Sequence, residues 1–92
     1  MIDFTKPQEV TSPRDLVKIL KIVYSGGAHS YSIAKLEWNK KECYGIRWNV
    51  SIRELQRNSK KCIGNPSSRG FPTWFILPTD FYTFIENKYP EK

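Results

Sequence analysis

The sequence predicts an α+β domain in which antiparallel strands precede a C-terminal helix. Two runs of period-two alternation, Tyr31 to Trp38 and Cys43 to Ile52, flank a short polar loop. A third apolar run, Phe71 to Leu77, stops at Pro78. From Thr79 onward, Phe81, Phe84, Ile85 and Lys88 recur at the spacing of one helix face. The chain of 92 residues fits one domain, with 13 aromatic residues to fill a modest core.

Taken in order, residues 1–12 carry no sustained period and read as an irregular, flexible arm. Leu16 to Tyr24 supports two readings. Ser12 as a cap, Pro13 in a first turn and Leu16, Ile19, Leu20 and Val23 at helical spacing favour a helix ended by Gly26-Gly27. The strand-forming Ile19, Ile22, Val23 and Tyr24 argue for a strand. In the next strand Ser32, Ala34, Leu36 and Trp38 share one face and Tyr31, Ile33, Lys35 and Glu37 the other. Asn39 to Glu42 forms the loop, and the return strand sets Tyr44, Ile46, Trp48, Val50 and Ile52 against Cys43, Gly45, Arg47, Asn49 and Ser51. Matching the apolar sides puts Ala34, Leu36 and Trp38 beside Tyr44, Ile46 and Trp48, with Lys35, Arg47 and Asn49 on the opposite face. Trp38, Trp48 and Trp74 lie on apolar stripes and are expected in the core. Residues 16–77 thus form the sheet region, with a long basic loop over 53–70, and residues 79–89 the helix that packs Phe81, Phe84 and Ile85 on it.

The net charge of +6 is concentrated. Between Lys35 and Arg69 nine basic residues face only Glu37, Glu42 and Glu54, while the flanks balance. A continuous positive stretch is what a polyanion-binding surface requires. Tyr31, Lys35, Lys40, Lys41, Arg47 and Asn49, with Arg53, Arg57, Lys60, Lys61 and Arg69 from the loop, are the candidate binding residues: cations to follow phosphates and a flat ring on which an unpaired base can lie.

Other chemistries find little support. Cys43 and Cys62 stand apart, with no ligand spacing for zinc, and read as reduced thiols of a cytoplasmic protein. Met1 to Val10 has no apolar leader, and no apolar run approaches the roughly 20 residues of a membrane span. His29 is the only histidine and sits in a glycine-rich turn, the acidic residues are few, and Gly26-Gly27 lacks the spacing of a phosphate-binding loop, so neither an enzyme nor a cofactor or metal is expected.

The strings "LEWN" (Leu36 to Asn39) and "YGIRW" (Tyr44 to Trp48), within an order of strands, glycine turn, polar stretch, short strand and helix, resemble the positive cofactor four family of single-stranded DNA-binding proteins and its bacterial relatives. That resemblance implies a curved four-stranded antiparallel sheet followed by one helix, a homodimer, and single-stranded DNA gripped by basic and aromatic residues, with Lys35 and Arg47 on the binding strands. It also implies that the segment before Gly26 is a strand. Gly45 stands where the family has an acidic residue, and "NPSSRGFPTWFILP" replaces its Met-Gly-Lys-Gly turn. Small basic proteins of this size are also common among phage and mobile-element products, including anti-CRISPR inhibitors. An inhibitor of a CRISPR effector such as a Cas nuclease is therefore the alternative expectation.

Overall fold

The computed structural model describes residues 2–90. Its organising unit is a hairpin of β3 (Tyr31–Trp38) and β4 (Lys41–Trp48). Asn39 and Lys40 both adopt positive φ, 51° and 69°. These are the dihedrals of a two-residue type I′ turn, whose twist suits the flanking strands. The hairpin closes at the Trp38–Lys41 pair and stays in register to Tyr31–Trp48, so Leu36 faces Cys43, Ala34 faces Gly45 and Ile33 faces Ile46.

This register corrects the expected pairing of apolar sides. Tyr44, Ile46 and Trp48 share a face with Lys35, Ile33 and Tyr31, while Arg47 shares one with Ala34 and Leu36. A two-residue turn pairs even-numbered positions with odd-numbered ones, and a shift of one residue would move every side chain to the other face. The return strand also ends at Trp48 rather than Ile52, because Ser51 caps a short helix instead.

β2 (Val17–Ser25) is a strand, paired antiparallel to β3. The pairing slips between Ile19 and Lys21 and again between Ile22 and Tyr24. Each slip inserts one extra residue, so Val17, Ile19 and Ile22 reach the same face at uneven spacing, while Leu16 and Leu20, which the helical reading placed inward, stay exposed. The sheet order is β2-β3-β4-β8, antiparallel throughout, with β8 (Phe75–Ile76) only two residues long. Two small additions complete the strands. β1 (Asp3–Phe4) runs parallel to β5 (Lys61–Cys62), and β6 (Ser67–Ser68) pairs with β7 (Phe71–Pro72).

Both sheet faces are covered. On one, Val10, Val17, Ala34, Leu36, Cys43 and Trp74 form a core, and the Trp74 indole donates to the Val10 carbonyl at 2.7 Å. Residues 2–12, expected as a flexible arm, are therefore packed on the domain through the buried Pro7 and Val10. On the other face Ile33 and Tyr44 pack under α2 (Tyr82–Lys88), which follows a 3₁₀ turn at Thr79–Phe81. The helix turns Tyr82, Ile85 and Tyr89 inward; Phe81 and Phe84, expected in the core, are exposed. With the first turn spent as 3₁₀, the inward stripe shifts from the one read off a helix begun at Thr79.

Gly45 lies beneath Trp74. A Cβ there would sit 2.9 Å from Leu36 Cδ1 and 3.0 Å from Trp74 Cβ. A side chain at this position overpacks the core, which gives a physical reason for glycine in the Tyr-x-Ile string. Gly45→Ala is expected to lower stability by ~1–3 kcal/mol, read as a lower urea midpoint at unchanged slope. A midpoint equal to that of the parent chain would mean that Trp74 does not press on β4.

Candidate functional site

The site begins where β4 stops. Asn49 is fully buried: its amide oxygen accepts from the Ser32 hydroxyl at 2.7 Å, its Nδ2 donates to the Gly27 carbonyl at 2.8 Å, and its backbone N–H donates to the Ser30 carbonyl. Asn49 thus ties the glycine turn to the strand end. Two residues later the Ser51 hydroxyl accepts from the Glu54 N–H at 3.1 Å, and Glu54 Oε1 accepts from the Ser51 N–H at 2.9 Å. This reciprocal cap starts α1 (Ile52–Gln56).

Glu54 does more than cap. Its carboxylate also accepts from the Ile63 N–H at 2.8 Å and the Gly64 N–H at 3.0 Å, so one side chain ties α1 to the returning loop. Burial by itself pushes this carboxyl up, but the amides of Ser51, Ile63 and Gly64 and the Ser51 hydroxyl outweigh it and hold the carboxyl below its ordinary value.

Arg47 holds the same loop from the other side. It is 2% exposed, and its guanidinium donates to the carbonyls of Ile63, Thr73 and Pro66. Burial pulls its pKa down to about 10, against the nearby Glu54 charge, so the group stays cationic at neutral pH. Gly64 passes between these anchors at φ 72°, where a Cβ would collide with the Trp48 carbonyl and lie 2.7 Å from Asn49 O and Arg47 Nη2. Asn65 then exchanges both backbone bonds with Trp48, at 2.8 and 3.1 Å, and lengthens the sheet by one pair.

Because alternation sends Arg47 inward, it sends Trp48 outward, and the indole is 56% exposed. It makes an edge-on contact with Tyr31, with ring centroids 6.1 Å apart. The Tyr31 hydroxyl is engaged with the Tyr89 hydroxyl at 3.0 Å. Around Asn65 three concavities meet. One of about 770 Å³ is walled by Tyr31, Ile46, Trp48, Pro66 and Phe75. A second holds His29, Trp48, Ile52 and Arg53, and a third, polar, holds Arg53, Glu54, Arg57 and Ser67.

The predicted site residues are thus only partly brought together. Arg53 and Arg57 are exposed and share one cleft, with Trp48 and Tyr31 close by. Arg47 and Asn49 are internal, Arg47 reaching only the lining of the concavity beside Trp48, because both are turned to the covered side of the sheet. Lys35 pairs with Glu42 at 3.4 Å and lines a small cleft with Lys21 and Glu86. Lys40 and Lys41 sit at the hairpin turn, one strand length or roughly 24 Å from Trp48. Lys60 and Lys61 are exposed beside β1, and Arg69 occupies the β6–β7 turn at φ 53°. Trp74 is core as expected, Trp38 is partly buried against it, and Trp48 is not core. The cysteines are buried and unpaired, and burial pushes both thiols up, which leaves little thiolate.

Among the described residues no group of three histidine, cysteine or acidic side chains is placed to hold a metal, and no helix is long and apolar enough to cross a membrane. No protein-family model, curated protein or solved structure matches the chain. From the sequence, Glu54 is only one of three acidic residues among nine basic ones. The Ser51-x-x-Glu54 spacing was the signal for its capping role, while nothing local announced Ile63 and Gly64 as its further donors.

The Glu54 network has a pH signature. A carboxyl depressed by folding contributes stability that is fully present above its unfolded pKa and lost as pH falls through its lower folded one. The urea midpoint should therefore fall on acidification below about pH 4.5. Glu54→Gln should lower the midpoint at neutral pH and flatten that acid limb; parallel limbs for both proteins would show that Glu54 does not carry it.

Proposed function

We propose that the chain is a non-catalytic nucleic-acid-binding protein that takes a single strand at the end of the sheet where Trp48 meets α1. One observation supports this most: an indole more than half exposed, set edge-on against Tyr31, with the Arg53 side chain in the same concavity. Folding alone does not require a large apolar ring in water beside guanidinium groups. Single-strand binding requires both, since cations follow the phosphates while flat rings stack unpaired bases.

The cationic part of this surface is Arg53 and Arg57, not the strand residues Lys35 and Arg47 that the family resemblance implies. A sheet of four antiparallel strands with a C-terminal helix is compatible with that family at the level of architecture. The site itself differs from it, being built from the strand end and the 51–67 segment.

Affinity for a short poly-thymidine strand should fall steeply with salt, each neutralised phosphate adding ~0.7 to the log–log slope. Replacing Arg53 and Arg57 together by alanine should reduce that slope by about 1.4. A salt-independent affinity, or tight stoichiometric capture of a nuclease with none for the oligonucleotide, would instead favour the inhibitor reading.

A further inference from the structure

We infer that the cavity beside Trp48 is a subsite for one unstacked nucleobase, whose flanking phosphates are led to Arg53 and Arg57. The inference rests on the nucleic-acid reading and adds which part of the nucleotide lies where. The cavity, about 770 Å³, has apolar walls in Tyr31, Ile46, Trp48, Pro66 and Phe75, polar side chains at Asn65 and Ser67, and the Arg47 side chain in its lining. Trp48 and Phe75 are 56% and 57% exposed, two flat rings left in water on the same sheet face. The cavity exists because β8 is only two residues long: beyond the Ile46–Phe75 pair, β4 has no strand beside it until Asn65 meets Trp48.

Charge decides the occupant. The adjoining cleft, which shares Asn65 and Ser67 with the cavity, contains Arg53 and Arg57, with Glu54 beside them engaged by the Ser51, Ile63 and Gly64 amides. A flat apolar slot and a cationic groove separated by two small polar residues match a nucleotide, in which a planar ring with a polar edge is joined to an anionic link. An aliphatic chain would leave the cations and the rim amide unused. A buried cation also stands behind the slot: Arg47 contributes to its lining, and its Nε is a buried donor without an acceptor among the described residues. Its field favours a ring bearing carbonyl oxygens over a hydrocarbon.

The test compares a poly-thymidine strand with an abasic sugar–phosphate strand of equal length, by fluorescence anisotropy at low salt. Thymidine should bind at least about tenfold more tightly, as expected if one base stacks. Trp48→Ala and Phe75→Ala should each remove most of that ratio by weakening thymidine binding far more than abasic binding; both side chains are more than half in solvent, so neither change opens the core. Equal affinity for the two strands would overturn the base subsite and leave the phosphate-binding reading standing. A ratio that survives both substitutions would overturn its assignment to this cavity. Binding of neither strand would overturn the subsite and the proposed function together.

Discussion

A guanidinium group carried on a central strand into the interior needs acceptors there, and in this chain loop carbonyls accept from its two terminal nitrogens. Arg47 donates to Ile63, Pro66 and Thr73, positions that follow it by 16, 19 and 26 residues. A buried charge without such acceptors is among the most costly things a small domain can contain. The path of the segment from α1 to β8 is therefore dictated by one side chain, and the Glu54 carboxylate reinforces it from the opposite side. Gly64 threads between them because no larger residue clears the Trp48 and Asn49 carbonyls.

The surface proposed to bind follows from that constraint. Holding the loop against β4 brings Asn65 beside Trp48, sets α1 next to the strand end, and leaves the gap in which Phe75 and Trp48 stand exposed. The basic stretch visible in the sequence does not become one surface. Its members divide among an internal clamp at Arg47, a paired side chain at Lys35, a distant turn at Lys40 and Lys41, and the cleft of Arg53 and Arg57. Proximity along the chain overstated the cationic area because alternation and turns send neighbouring residues to different sides.

Much of the fold was legible. The alternation of β3 and β4, the loop between them and the C-terminal helix are all recoverable from periodicity. Register was not, since Asn39 to Glu42 admits loops of several lengths and only the backbone dihedrals at Asn39 and Lys40 select two residues. β2 was obscured by its two slips, which break the period-two alternation of its inward positions. The site was the least legible part. An arginine on an alternating strand normally reads as a surface residue, and the carbonyls that draw it inward lie far along the chain. Trp48 was read as core for the complementary reason, being apolar at a position whose face is set by the turn.

The clamp at Arg47 is most directly tested by amide hydrogen exchange, residue by residue, in the parent chain and in Arg47→Met. Loss of protection at Asn65 and in the β8 segment, with the β2–β3–β4 ladder still protected, is the predicted result. Unchanged protection at Asn65 and Leu77 in the variant would contradict the account, because the loop would then hold its place against β4 without the buried cation.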